Sequence, residues 1–183
     1  MKNVVVHNAA AKGNLDSVMY LHENRGEGST TKAMDEAAGH GHFNIVKFLH
    51  ENRTEGCTGR GMDIASRNGH LEISGHLDVV KFLFFNSTEG NMGYVVNRAA
   101  KRSNLEIVQF YHENDIACTM CAMNNATANG HLDVVKFLHD NRTEGYTTNA
   151  FDWATLSQHW DVLIFLLTAS RGKMYYNYHG RSR

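Results

Sequence analysis

One stretch of sequence occurs twice in this chain, and this repetition constrains the fold more than any other feature. Residues 41–56 read GHFNIVKFLHENRTEG, and residues 130–145 read GHLDVVKFLHDNRTEG. Weaker copies begin at Gly13, Gly75, Ser103 and Gln158. Successive copies therefore start 28, 34, 28, 27 and 28 residues apart. A fixed period of this length indicates a stacked supersecondary unit. The sequence predicts six repeats, and we call the first residue of each copy its anchor.

The one long interval comes from a short internal duplication. Residues 69–74 read GHLEIS and are followed at once by the similar GHLDVV of residues 75–80. In every repeat an apolar residue lies seven positions before the anchor, and in repeat 3 this register requires Gly69 as the anchor. These apolar residues are Val6, Met34, Met62, Val96, Met123 and Phe151. We therefore expect the extra residues to lie between the two helices of repeat 3.

Each repeat has the pattern of two short helices. Met34, Ala37 and Ala38 lie at i, i+3 and i+4, which places them on one face of a first helix. The residues expected to point inward from the second helix are Leu132, Val135, Phe137 and Leu138, with Phe48, Phe82 and Phe110 equivalent to Phe137. The predicted N-caps of the first helices are Thr30, Thr58, Thr119 and Thr147. The glycines predicted to end repeats with positive φ are Gly56, Gly90 and Gly145.

These features predict an all-α protein with little or no β structure. The predicted fold is a helical solenoid of six helix-turn-helix units, because one pair of short helices buries too little apolar surface by itself. The array spans residues 1–169, with repeats at about 3–28, 29–56, 57–90, 91–117, 118–145 and 146–169. Residues 170–183 form a basic, tyrosine-rich C-terminal tail.

The repeats resemble ankyrin repeats. The resemblance is carried by AAGHGH at residues 37–42 and by NGHLDVVKFL at residues 129–138, and it covers about residues 3–169. The chain departs from the family because its period is 28 rather than about 33 residues and because it contains no proline. The missing residues fall between consecutive repeats, where the family projects a β-hairpin. We therefore expect an ankyrin-like solenoid with truncated hairpin fingers.

The resemblance implies an interaction module or adaptor that binds another protein. In this family the two residues before each anchor face the concave surface, on the side of the first helices. Here these residues are Lys12, His40, Arg67, Asn68, Lys101, Arg102, Asn129 and Ser157. Their cations predict a basic stripe in the middle of the array. We expect an unidentified protein partner to contact these residues, and the sequence leaves the oligomeric state open.

Twelve histidines and three cysteines raise the alternative of a metal or thiol site. Most of the histidines recur at two repeat positions, and equivalent residues on packed helices lie about 8–10 Å apart. Two nitrogen ligands of one zinc ion must lie within about 4 Å of each other, so we expect these histidines to serve packing and hydrogen bonding. Cys118 and Cys121 form a lone C-x-x-C pair, which is a weak signal for zinc or redox chemistry. We predict no metal and no cofactor.

Neither an enzyme nor a membrane protein is indicated. The sequence lacks a nucleophile elbow, a phosphate-binding loop, a zinc-binding helix and a dinucleotide fingerprint, so we predict no catalytic residues. The longest purely apolar run, residues 162–167, is far shorter than the roughly 20 residues that cross a bilayer. The formal net charge of -1 gives no overall attraction to nucleic acid. An odd number of cysteines fits a reducing compartment, and we expect a cytoplasmic protein, with the nucleus as the alternative.

The last repeat and the tail differ from the rest of the chain. Ile164 and Leu167 are apolar where inner repeats carry Lys and His, although terminal repeats usually have a polar outer face. The sequence leaves three explanations open. The tail covers this surface, another molecule docks there, or the chain belongs to a longer array. The tail contains four Lys or Arg residues, three tyrosines and no acidic residue. Basic residues interleaved with aromatic ones can bind nucleic acid, so binding through the tail is the alternative function.

Overall fold

The computed structural model describes residues 3–25, 31–52, 58–69, 76–86, 92–116, 119–141 and 147–169. Within these ranges the chain forms twelve α-helices and no strand. The predicted all-α class, with two helices in each repeat, is therefore confirmed. The truncated hairpins are predicted for segments between repeats that lie outside the described residues.

The helices follow the repeat register along the chain. Repeat 1 has α1 (Asn3–Ala11) and α2 (Leu15–Arg25), repeat 2 has α3 (Thr31–Gly39) and α4 (Phe43–Asn52), repeat 3 has α5 (Gly59–Asn68) and α6 (His76–Asn86), repeat 4 has α7 (Met92–Lys101) and α8 (Leu105–Glu113), repeat 5 has α9 (Met120–Ala128) and α10 (Leu132–Asn141), and repeat 6 has α11 (Thr148–Leu156) and α12 (Trp160–Ala169). Because α5 ends at Asn68 and α6 begins at His76, the extra residues of repeat 3 lie between its helices, as predicted.

The chain divides into two compact units between Val95 and Val96, within α7. In the first unit, α1 packs on α3 and α3 on α5, while α2 packs on α4 and α4 on α6. In the second unit, α9 packs on α11, while α8 packs on α10 and α10 on α12. Within each unit, consecutive repeats therefore pack first helix on first helix and second helix on second helix.

The first helices supply much of the core. Met34, Ala37 and Ala38 are buried, as their spacing predicts. The residues seven positions before the anchors are buried in the first five repeats, and Phe151 of repeat 6 is half-buried. Alanine allows the backbones of neighbouring first helices to approach closely, because its side chain needs little space.

The prediction for the second helices was partly wrong. Val135 and Leu138 are buried as expected, but Val134 is buried too, whereas Leu132 and Phe137 are only half-buried. Phe48 and Phe82 are also half-buried, while Phe110 is buried. The reason is that the ring at the Phe137 position packs at the boundary between two repeats, where one of its sides stays open to solvent.

The N-cap prediction holds for two of the four threonines. The hydroxyl oxygens of Thr58 and Thr119 accept hydrogen bonds from the backbone N–H groups of Arg60 and Cys121, both at 3.2 Å. Thr147 holds the extended N-cap conformation, but its side chain makes no capping bond. Thr30 lies outside the described residues.

In every repeat except the third, the anchor forms the turn between the two helices with positive φ, whereas Gly69, the anchor of repeat 3, has a φ of -62°. Gly13, Gly41 and Gly130 have φ values of 74°, 72° and 72°, a conformation that glycine adopts without steric cost. Ser103 and Gln158 hold the same turn position with φ of 63° and 59°. The sequence prediction placed positive φ at the glycines that end the repeats, which lie outside the described residues, and overlooked the anchors.

Candidate protein-binding surface

Histidines at the start of the second helices join consecutive repeats. Each of these rings donates a hydrogen bond from Nε2 to a carbonyl at the end of the preceding first helix. The pairs are His42 with Ala11 at 3.1 Å and His76 with Gly39 at 3.1 Å in the first unit, and His131 with Lys101 at 2.9 Å in the second. Because a carbonyl only accepts, Nε2 carries the proton in these rings. These bonds satisfy carbonyls that a helix end leaves without an intrahelical partner.

Two of these rings, His42 and His76, and His159 at the same position in repeat 6 lie against anchor glycines. A Cβ added to Gly41 would lie 2.8 Å from Nδ1 of His76, and one added to Gly130 would lie 2.5 Å from Nδ1 of His159. These approaches are too close for any side chain, so the glycines serve both the turn and the repeat contact. The glycine and the histidine of neighbouring repeats therefore form one packing unit.

A second set of histidines packs edge-on against phenylalanines of the following repeat. The ring centroids are 5.1–5.5 Å apart and the rings are nearly perpendicular, which is a favourable aromatic geometry. The pairs are His22 with Phe48, His50 with Phe82, His112 with Phe137 and His139 with Phe165. Both sets of histidines therefore have the packing role that the sequence predicts. In the part of the chain that the structure describes, no three His, Cys, Asp or Glu side chains form a group that could hold a metal ion.

An Asp or Asn on three first helices, α3, α7 and α9, bonds to the threonine that precedes the next first helix. Asp35 accepts the backbone N–H of Thr58 at 3.1 Å and its hydroxyl at 2.7 Å. In the second unit, the corresponding side-chain pairs are Asn97 with Thr119 at 3.1 Å, and Asn124 with Thr147 at 3.2 Å. These carboxylates and amides therefore hold repeats together.

Burial raises the pKa of the Asp35 carboxyl above its usual range. The two hydrogen bonds from Thr58 and the positive charge of Arg60 act in the opposite direction, because they favour the ionised form. Desolvation outweighs them, since the side chain is almost completely buried. The amide of Asn124 occupies the equivalent position without a charge.

The eight predicted binding residues lie where the first helices end and the turns begin. Six of them are exposed and two are half-buried. The exposed residues are Lys12, His40, Lys101, Arg102, Asn129 and Ser157, and the half-buried ones are Arg67 and Asn68. The structure places Lys12, His40, Arg67 and Asn68 in the first unit and the other four in the second. Whether they contact a partner stays a prediction.

Several of these side chains are held by the backbone. Nδ1 of His40 hydrogen-bonds the Glu36 carbonyl at 2.8 Å. The amide of Asn68 donates to the carbonyl of Gly39 at 2.7 Å, in the preceding repeat. Asn129 likewise donates to a carbonyl of its own helix. Their orientations are therefore fixed before any partner binds, which reduces the entropy that binding would cost.

An open cleft of about 370 Å³ lies beside the first two of these positions. It is lined by the turn residues Gly13 and Gly41, which directly follow Lys12 and His40, and by His42 and Phe43. Asp78 of repeat 3 contributes a carboxylate to the same cleft. The surface near the turns of the first unit therefore combines cations, an acid and apolar atoms.

The proposed cysteine pair has one described member. Cys121 is a free, exposed thiol at the start of α9, and Cys118 lies outside the described residues. No described helix is both long and apolar enough to cross a membrane.

Two-helix repeats that interlock through glycine turns, histidine rings and Asx–Thr pairs define a helical repeat protein. A family model described as ankyrin repeats in many copies matches residues 6–50 and 96–139. The chain therefore carries ankyrin repeats in these two segments. Comparison with curated proteins found no match. Ankyrin repeats are generally protein–protein interaction modules.

Proposed function

We propose that the chain is an adaptor that binds another protein through the residues preceding its anchors. The observation that carries this proposal is the pair of adjacent cations at the end of α7. Lys101 and Arg102 are both exposed, and neither forms an ion pair with another described residue. Two solvated cations, with a fixed amide, Asn129, at the equivalent position of the next repeat, suit a protein segment that presents carboxylates or backbone carbonyls.

The residues of the first unit support the same kind of contact. Lys12 is exposed and Arg67 is half-buried, so each can offer a charge to a partner. Arginine is enriched among the residues that dominate binding energies. The sequence also places an acidic row in the turns between repeats, at Glu27, Glu55, Glu89 and Glu144, and these residues lie outside the described ranges.

A charge-reversal experiment tests this surface. Full-length protein is used to capture and identify a binding partner, and the affinity of that partner is then measured for Lys101→Glu combined with Arg102→Glu. We expect the affinity to fall by at least roughly tenfold, because like charges then face each other. The matched control is Lys136→Glu, a reversal of an exposed lysine on a second helix. Equal binding by the wild type and the double variant would remove the stripe from consideration.

Nucleic-acid binding through residues 170–183 remains the alternative, on the strength of the basic and aromatic composition of the tail alone. Binding of RNA or DNA that is strong at low salt, weakens steeply with salt and disappears when residues 170–183 are deleted would favour it. The adaptor function predicts that the same deletion leaves partner binding unchanged. Both functions fit a location in the cytoplasm or the nucleus.

A further inference from the structure

The last repeat exposes large apolar side chains on the side where another repeat would stack. Leu156 at the end of α11 is 78% exposed, and Trp160 and Leu167 of α12 are 54% and 59% exposed. We call these three residues the C-terminal end face. Burying apolar area of this size is normally favourable. We therefore expect another molecule or chain segment to cover the C-terminal end face.

Inner repeats show what the C-terminal end face is built to contact. Phe43 and His50 of repeat 2 both pack edge-on against Phe82 of repeat 3, at 5.7 Å and 5.1 Å between ring centroids. In repeat 6, Trp160 holds the register of Phe43, and Leu167 holds the register of His50. The two residues therefore lie at positions that receive the aromatic ring of a following repeat.

Leu156 is placed in the same way. It holds the register of Gly39, and a Cβ on Gly39 would touch the side chain of Ile64 in the following repeat. At the junction of repeats 2 and 3, a Cβ at this position therefore meets the next repeat, whereas Arg67 and Lys101 at the same register reach the surface.

The first repeat carries the complementary surface. Tyr20 holds the register of Phe82 and is 62% exposed. It borders a cleft of about 510 Å³ lined largely by apolar atoms, including Val5, Ala9 and Leu21. We call Tyr20 and this cleft the N-terminal end face. Asn8 also lines the cleft and holds the register of Ile64. Because asparagine is smaller than isoleucine, the N-terminal end face leaves more room at this position for Leu156, which is larger than Gly39.

We propose that a second copy of this chain stacks head to tail on the first, with Tyr20 of one copy packed between Trp160 and Leu167 of the other. The contact continues the established junction between repeats, because the same register positions meet in it. Leu156 enters the cleft beside Asn8. The Tyr20 hydroxyl can stay at the solvent edge, as suits a ring with one polar end.

The contact joins two different faces, so each added copy presents a fresh end. Such heterologous association continues into longer assemblies instead of stopping at a dimer. A pairing of two C-terminal end faces would stop at a dimer, and coverage of this face by residues 170–183 would leave a monomer.

Sedimentation of the full chain at rising protein concentration distinguishes these outcomes. We expect the wild type to grow steadily in mass. Tyr20→Glu and Leu167→Glu should each weaken the association by at least roughly tenfold, as charging an aromatic or apolar anchor does. Mixing the two variants should give a 1:1 dimer, because one keeps its C-terminal end face and the other its N-terminal end face. Unchanged helical circular dichroism verifies that both variants are folded.

Two control variants make the result specific. Leu167→His restores the residue of the inner repeats and should still associate. Ile164→Lys removes a 61% exposed apolar residue from the same helix, but at the register of Lys47, which faces solvent in repeat 2. It should associate like the wild type. A wild type that is monomeric at every concentration, Tyr20→Glu dimers without a partner variant, or equal losses in Ile164→Lys and Leu167→Glu would each overturn head-to-tail stacking.

Discussion

The junction between repeats 2 and 3 and the junction between repeats 5 and 6 have the same geometry and different charges. In both, a histidine packs on a phenylalanine, with centroids 5.1 Å apart for His50 and 5.4 Å for His139. In both, a first helix bonds to the threonine before the next one, but Asp35 does so in the first case and Asn124 in the second. The repeat therefore fixes where the atoms lie, while the charge at each junction varies.

The shared packing predicts the largest effect. Leu49 and Leu138 hold the same register and are buried in their two units. Leu49→Ala and Leu138→Ala should each lower the free energy of unfolding by about 2–5 kcal/mol, measured by urea denaturation. The exposed neighbours provide controls, since Lys47→Ala and Lys136→Ala should change it by no more than about 0.5 kcal/mol. A much smaller loss at one leucine would show that the two junctions are not packed alike.

The anchor glycines predict the next largest effect. Gly41→Ala and Gly130→Ala each force a side chain into positive φ, which costs about 1–2 kcal/mol, and each also pushes a Cβ against a histidine ring. Thermal melting should show both variants destabilised to a similar extent. Ser103→Gly is the reverse control, because it relieves a φ of 63° and should not destabilise the protein. If either alanine variant melted like the wild type, the close ring contact would be wrong for that junction.

Exchanging the acid and the amide tests the difference between the junctions. The pKa of Asp35 is raised by burial, so the folded protein holds this proton more tightly than the unfolded chain. The stability contributed by the protonated form is complete below the pKa of an unfolded aspartate and is lost as pH rises through the raised pKa of the folded protein. Asp35→Asn should remove this loss and be at least as stable as the wild type at neutral pH.

The reciprocal change, Asn124→Asp, should make the protein lose stability as pH rises. It places a carboxylate in a buried position and should cost about 1–3 kcal/mol at neutral pH, with most of the cost disappearing in acid. Urea midpoints from acidic to neutral pH measure both variants. Two results together would mean that charge does not distinguish the junctions. These are a lower stability of Asp35→Asn at neutral pH and a stability of Asn124→Asp that does not change with pH.

The threonines predict the smallest effect. Thr58 caps α5 and bonds to Asp35, whereas Thr147 bonds to Asn124 without capping α11. Thr58→Ala should therefore cost about 0.5–2 kcal/mol, and Thr147→Ala should cost less. Chemical denaturation of both variants at one pH compares them, with the exposed Thr155→Ala as the control. A larger loss in Thr147→Ala would reverse the assignment of the cap.

The fold could be predicted from the sequence because the repeat reports the same contacts several times. Met34, Ala37 and Ala38 show one helical face, and the small residues recur in each repeat at the same register. The positions of Leu132 and Phe137 were predicted less well. Apolar character identifies a residue that contacts something apolar, but it does not distinguish the centre of a core from the edge of a junction.

The candidate binding residues could be selected from the sequence only through the resemblance to ankyrin repeats. The sequence shows that Lys101 and Arg102 are charged, but their exposure depends on where α7 ends in the structure. The glycines that recur at the anchors were a signal for positive φ at these positions. The sequence prediction assigned positive φ to the glycines that end the repeats instead. The contacts of His42 and His76 with carbonyls of the preceding repeat had no such signal, because the partners are backbone atoms.

The sequence by itself determined the number of repeats, the helical class, the place of the insertion in repeat 3 and the register that equates one repeat with the next. These follow from local periodicity, which any short segment carries. The tertiary structure decided which histidine nitrogen donates, which phenylalanines are half-buried and why the pKa of Asp35 is raised. These depend on atoms brought together from different repeats, and the surroundings of a side chain are fixed only when the repeats are stacked.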